Sequence, residues 1–354
     1  MSVNTNALGS NKLRRRASLT DTNLLLIITI IVFVVMYACA VIFLKKGFTK
    51  PQMFFNILNE NASLLVLSCG MTLVMITGGI DISVGQVTCL VCMACAVHLQ
   101  KVNDGLAQGN VFTSILIALS IGLAFGIVQG FLVAYLEFQP FIVTLAGLFF
   151  AKGMTTIVCS DRVPVTYDAF VKLARTEVNI PFMGSVNKKG IYIPAYVEVG
   201  VIVAIIVVIL LFCLLKWTKL GRNFYAVGGN NQSANMLGIN VKLTKFLAHV
   251  LCGLCAGIGG YLFFLHACSG SPLHAQGAEM NAIASSIIGG TLLSGGVGNI
   301  IGTLFGVLSL STIKNIVTSL GLDEAWWTNI TVGAMLCVFL IIQSVILSIR
   351  NKKK

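Results

Sequence analysis

Runs of apolar residues long enough to cross a bilayer alternate with short polar or glycine-rich segments along the whole chain. An α-helix rises 1.5 Å per residue, so about 20 uncharged residues match a hydrocarbon core of roughly 30 Å. Leu24–Leu44 has 21 uncharged residues, too long for the core of a cleaved leader, and reads as an anchor that stays. Between Glu60 and Lys101 lie forty residues in which Asp81 is the only Asp, Glu, Lys or Arg. That length predicts two crossings, broken at TGGIDISVG, Thr77 to Gly85. Phe112–Tyr135 and Phe141–Cys159 follow, divided by EFQP, with Pro140 opening the second helix. Tyr196–Leu215 is the sixth crossing. Phe246 to Ile313 holds one charge, Glu279, and is long enough for about three more, with Ser269–Asn281 a polar, partly immersed loop. The last run is Trp326–Ser348, led by an interfacial Trp326–Trp327 pair.

The expected fold is an all-α integral membrane protein of about ten transmembrane helices. A basic segment, 1–20, precedes a single membrane domain, 21–354. Residues 217–245 carry Lys219, Arg222, Lys242 and Lys245 and no acid. A short, purely cationic loop between spans is expected to be cytoplasmic. Parity then puts both termini inside, in keeping with Arg14–Arg16 and Lys352–Lys354, and puts the mixed-charge loop 160–195 outside. The loop 217–245 is also rich in Gly and Asn, which suits a turn followed by a short helix, Gln232 to Leu237, better than a plain tether.

Composition narrows the classes. The chain is 56% hydrophobic and 10% charged, where soluble domains carry about 25% charged residues. Its net charge of +12 sits at the termini and span ends, with no basic amphipathic stripe, so no nucleic-acid partner is expected. Eleven cysteines lie mostly inside apolar runs, with Cys89, Cys92 and Cys95 on one helical face; there Cys behaves as a small hydrophobe, and neither a metal site nor disulfides are expected.

Gly122, Gly126 and Gly130, and again Gly298, Gly302 and Gly306, repeat every four residues and mark faces where helices approach closely. IGLAFGIV (121–128) and IGTLFGVL (301–308) hint at an inverted internal repeat. Asp81 either caps a helix starting at Ile82 or lines a wet path with the surrounding Gly78, Gly79, Ser83 and Gly85. Glu279 has the same two readings. No phosphate-binding loop and no Gly-Lys pair occur, so ATP hydrolysis by this chain is not expected. His98, His249, His266 and His274 form no HExxH, and no cofactor is implied.

GGIDISVG (78–85), GRNFYAVGGNNQSANMLGINV (221–241) and AIASSIIGGTLLSGGVGNIIGTLFGV (282–307) resemble, in order and spacing, the ribose-type sugar permeases of bacterial ABC importers. FIVTLAGLFFAKG (141–153), GGNNQSAN and the tryptophan pair look most like one permease of the galactofuranose importer branch; Cys89, Cys92, Cys95 and His274 depart from it. The resemblance implies a multi-pass protein of the bacterial inner membrane that does not itself catalyse. Its implied partners are a cytoplasmic ATPase that binds ATP and Mg, a second permease as homo- or heterodimer, and an extracytoplasmic sugar-binding protein. Coupling to the ATPase falls on Asn230, Asn231, Ser233, Ala234, Asn235 and Gly238. Polar groups at span breaks are candidates for the substrate path: Asn61, Asp81, Ser83, Gln86, Thr144, Glu279 and Asn281. The competing expectation is an ion-coupled secondary transporter, which also uses broken helices.

Overall fold

The computed structural model describes residues 6–44, 47–100, 109–186, 192–322 and 325–352. Each apolar run forms a helix. α1 (Asn6–Leu44) carries the first in its Asn23–Leu44 part. α2 (Pro51–Ile76) and α5 (Pro140–Val158) both begin on proline, whose fixed φ suits the first helical position. α3 (Val84–Leu99) and α4 (Val111–Ala134) lie between them, the latter opened by a capping box of Asn110 and Thr113. α7 (Val199–Trp217) and α10 (Val241–Ala267) flank the cationic loop, in which α8 (Lys219–Gly229) and α9 (Asn231–Met236) are seated. α11 (Ala278–Ile288), α12 (Ile300–Ser319) and α13 (Ala325–Lys352) close the chain.

Among the described residues seven helices are long and apolar enough to cross a membrane, and Val84–Leu99 and Asn329–Ile342 are shorter apolar segments. The remaining run, α11, has 11 residues, about 16 Å of helix, half a crossing. The stretch before it makes up the difference by descending beside α3 as irregular chain. The Cys92 thiol donates to the Ser269 carbonyl at 3.1 Å and Cys89 to that of Ser271 at 3.3 Å, while Glu279 sits against Gly85. Two of the three cysteines on one face therefore satisfy backbone carbonyls of the immersed loop. The third, Cys95, donates to Ser114 O. All eleven cysteines are free.

α2 is the axis of the bundle: 78% of its apolar window is buried, against 22% for α1 and α4. The glycines repeating every four residues are contact points. A Cβ on Gly122 would lie 2.7 Å from the Gly257 backbone of α10, and one on Gly126 2.8 Å from His249 O. On α12, Gly302 and Gly306 meet the α11 backbone at Gly289 and Ser285. α1 docks on the same region, Thr29 Oγ1 donating to Ile288 O at 2.9 Å and Phe33 meeting Phe305.

Loop 160–195 holds structure the polar pattern did not predict. β1 (Val163–Pro164) pairs with β4 (Ser269–Gly270), and α6 (Asp168–Ala174) stacks Phe170 on Phe264 at 4.4 Å. β2 (Glu177–Val186) and β3 (Tyr192–Glu198) form a hairpin that shifts register between Ile180 and Gly184, where Pro181 has no N–H to donate. These elements, with the start of α2, lie at one end of the bundle. α8, α9, the α4–α5 turn and the two helix breaks lie at the other.

Candidate functional site

Two breaks interrupt the helices at the α8 end: Thr77–Ser83 between α2 and α3, and Gly289–Asn299 between α11 and α12. α8 rests on both. Tyr225 Oη donates to Gly298 O at 2.8 Å, and burial pushes its phenol up to about 12. Gly228 has no room for a side chain, since a Cβ would collide with the Ile76 carbonyl oxygen and lie 2.6 Å from Gly296 N. Gly296 N donates to that same Ile76 oxygen at 2.9 Å. Gly78, Gly295 and Gly296 have φ of 84°, 83° and 75°, a backbone that residues with a Cβ rarely adopt. The three glycine motifs, far apart in sequence, thus meet in one backbone junction.

α9 hangs from this junction. Asn230 accepts from Ser233 N at 2.8 Å and Asn240 from Leu243 N at 2.9 Å, capping α9 and α10. The short helix runs Asn231–Met236 rather than Gln232–Leu237. Of the expected coupling residues, Asn230, Asn231, Ser233 and Asn235 are exposed. Ala234 is 2% exposed, against the bundle, and Gly238, at φ 77°, ends the turn in open space. The apolar pair that does protrude, Met236 (87% exposed) and Leu237 (79%), was not singled out from sequence. The cue was available: two large apolar residues inside an otherwise polar loop.

The expected path residues separate into groups. Asp81 is 2% exposed and its Oδ1 accepts from Ser83 N at 3.0 Å and Ser83 Oγ at 2.7 Å. Ser83 Oγ in turn accepts from Gln129 Nε2 of α4 at 3.0 Å. α3 starts at Val84, not Ile82, so Asp81 ties the turn before the helix. Thr144 joins from α5, donating to Ile80 O at 3.4 Å and, within its own helix, to Pro140 O at 2.8 Å. His249 lies beside this cluster; Nδ1 meets Lys245 O at 3.0 Å, so that nitrogen carries the proton, and Nε2 is buried without a partner. Gln129 and His249 are members the sequence did not single out as site residues: one polar residue in an apolar helix has no periodic signature.

Glu279, 8% exposed, stands apart from that cluster, against Gly85 in the first turn of α3; Gln86, next in sequence, is buried. A Cβ at Gly85 would collide with the Glu279 carboxylate, whose Oε2 has no hydrogen-bond partner. Asn281 follows, half-buried. Asn61 stands apart, high on α2, its Nδ2 donating to Ile57 O at 2.8 Å. Beneath the Asp81 cluster, a cavity of about 800 Å³ opens between the α4–α5 turn and α9, lined by Pro140, Asn231, Asn235, Lys242 and Lys245 among others.

The chain is a body of broken helices whose two breaks meet at α8, and comparison with known proteins places it among transport proteins. Residues 53–340 match the family described as "Branched-chain amino acid transport system / permease component". The chain is 37% identical over 324 residues to the inner membrane ABC transporter permease protein YjfF of Escherichia coli, covering 91% of this chain and 92% of that one. The chain belongs to the ABC transporter permeases. This permease is also 34% identical to the ribose import permease protein RbsC of Escherichia coli, over 79% and 82% of the two chains. It is 31% identical to the fructose import permease protein FruG of Bifidobacterium longum, over 83% of each. No solved structure matches it.

Proposed function

We propose that this permease is the membrane-spanning subunit of a binding-protein-dependent importer for a monosaccharide, in the bacterial inner membrane, with both termini and α8–α9 cytoplasmic. It carries no catalytic residues of its own. A partner ATPase binds ATP and Mg, a second permease completes the membrane body, and an extracytoplasmic binding protein delivers the sugar. The observation that carries this reading is the glycine junction: α8 touches both helix breaks, so a displacement of α8 moves both together. The exposed Met236 and Leu237 of α9 give an ATPase groove two apolar anchors. Closure of paired ATPases pulls that handle, and the breaks at 77–83 and 289–299 reopen the path to the other side.

The test is uptake by the reconstituted complex. ATP-driven accumulation of a ribose-, fructose- or galactofuranose-like sugar supports the reading. Accumulation from a sodium or proton gradient without nucleotide makes the chain a secondary transporter instead. ATP-driven uptake of leucine in place of sugar overturns the substrate class, which the family's description makes the natural control. Paired Met236→Asp and Leu237→Asp substitutions are expected to abolish uptake while leaving the thermal transition of the permease unchanged. Buried apolar anchors are worth about 2 kcal/mol or more at an interface.

A further inference from the structure

The β2–β3 hairpin turns three apolar residues out of its own ladder. Ile180 pairs with Ala195 and Gly184 with Pro194, so Pro181, Phe182 and Met183 have no partner on β3. The Tyr192 hydroxyl donates to the Pro181 carbonyl at 3.0 Å and so satisfies one backbone group of the bulge. Phe182 is 94% exposed. Met183 lines a cavity of about 340 Å³ at the corner between α1 and α2, together with Tyr37, Phe48, Phe54 and Phe55. These rings brace one another, Tyr37 standing edge-on to Phe48 and to Phe54 with centroids 6.1 and 6.2 Å apart.

Depth and charge say what such a corner meets. Tyr37 and Val41, both on the cavity wall, lie about 10 and 5 Å of helix before Leu44, the last residue of the α1 span. The cavity therefore reaches into the last two turns of that span, where hydrocarbon gives way to headgroups, and Met183 brings the bulge to the same level. Exposed Ile42 and Phe43 continue the apolar surface along α1. Tyrosines and apolar aromatic side chains are favoured at this level, where one end of the side chain is dry and the other wet. Tyr37 fits that place, since its hydroxyl has no hydrogen-bond partner among the described residues. The charge here is unexpected. Lys45, Lys46 and Lys50 fall within six residues between the first two spans, on the extracytoplasmic side in the orientation above, although cations at span ends gather on the cytoplasmic side. Lys50 lines the cavity, is exposed, and has no ion-pair partner among the described residues.

We infer that the α1–α2 corner and the 181–183 bulge hold an anionic phospholipid of the outer leaflet, with its phosphate at Lys50, an acyl chain in the cavity walled by Tyr37, Phe54 and Met183, and Phe182 inserted beside it. The hairpin is thereby fixed to the bilayer instead of standing free above it. The choice of leaflet rests on the orientation proposed above; the site itself does not.

The experiment uses the whole transporter in vesicles of phosphatidylglycerol and phosphatidylcholine in equal parts, with the binding protein present. A benzophenone side chain at position 182, where nothing is packed that it could disturb, is expected on illumination to attach to phospholipid. Attachment to the binding protein or to another chain, or no adduct at all, overturns the inference. Phosphatidylglycerol is expected to dominate the adducts. Lys50→Met is expected to lower its share relative to phosphatidylcholine about fivefold, the weight of one lysine at an anionic surface. Lys219→Met, at the other end of the bundle, should leave that ratio unchanged. A ratio indifferent to Lys50→Met, or equally sensitive to both variants, overturns the headgroup assignment and the site with it. Adducts are read whether or not the vesicles accumulate sugar, so failure of the importer reading and failure of this one are separate results.

Discussion

The two helix breaks at the α8 end are held in place by different chemistry. Thr77–Ser83 is tied by side chains: Asp81 holds Ser83, and Ser83 holds Gln129 of a neighbouring helix. Gly289–Asn299 carries no charge. It is tied by its own backbone, with Thr291 N on Ser286 O, Leu292 N on Val297 O and Gly295 N on Leu292 O, and by glycines at φ of 88°, 83° and 75°. One break is therefore specified by hydrogen-bonding groups and the other by the absence of Cβ atoms. The first should be sensitive to losing a polar atom, the second to gaining a carbon.

The largest effect is expected where α8 joins both. Gly228→Ala places a carbon against the Ile76 carbonyl and Gly296 N, both backbone, so α8 must lift off the junction. Overpacking of this kind costs about 1–3 kcal/mol. A lower thermal transition and loss of ATP-driven uptake are expected together. Gly229→Ala, one residue on, meets nothing within 4 Å and is the control: it should be silent in both measurements. If the two variants behave alike, α8 is not seated as described.

A smaller effect separates the breaks themselves. Asp81→Ala leaves the buried Ser83 N–H without its acceptor, and its hydroxyl with Gln129 Oε1 at 3.2 Å, a loss of about 1–3 kcal/mol for an unpaired buried group. Asp81→Asn keeps one acceptor oxygen and should fall between. At the second break, Thr291→Val removes a buried hydroxyl that has no partner, and is expected to leave the thermal transition unchanged or slightly raised. A severe Thr291→Val alongside a mild Asp81→Ala reverses the assignment of chemistry to the two breaks.

How much of this the sequence held depends on range. Hydropathy located the long apolar helices, because a membrane helix satisfies its own backbone and announces itself by length, but the three crossings expected in 246–313 are two long helices and one of 11 residues. The first break was legible too, at TGGIDISVG, because its glycines make a poor helix; the second, at GGTLLSGG, was not read as a break. What no local pattern carries is contact between Gly78, Gly228 and Gly295, since each glycine is locally just a flexible residue. Cys89 and Cys92 were read as apolar packing. They are buried as expected, but their thiols also serve as donors to a loop whose immersion is visible only once α11 proves to be half a crossing. The hairpin in 160–195 was hidden for the opposite reason: Pro181 and Pro194 interrupt the alternation that marks strands. The candidate path residues came from polarity alone, which shows neither that Asp81, Ser83 and Thr144 lie together nor that Asn61 bonds its own helix.

The smallest expected effect concerns the third turn at this end, which uses neither device. Between α4 and α5, Glu137 adopts φ 59° without being glycine and reaches Lys242 across the mouth of the cavity at 3.0 Å. Both side chains are largely in solvent, so the pair is screened and holds the turn only lightly. Its signature is pH dependence. The hydrogen bond and charge of Lys242 lower the Glu137 carboxyl below its ordinary value. A depressed folded-state value means the contribution is complete above the ordinary carboxylate range and disappears as pH falls through the lowered one. Wild type should therefore exceed Glu137→Gln slightly in thermal transition near neutral pH, with the gap closing in acid and shrinking in high salt. Lys242→Met should show the same closing gap, because it removes the other half of one interaction. A gap that is flat from neutral to acid pH would mean that the backbone geometry at residue 137, and not the ion pair, sets this turn.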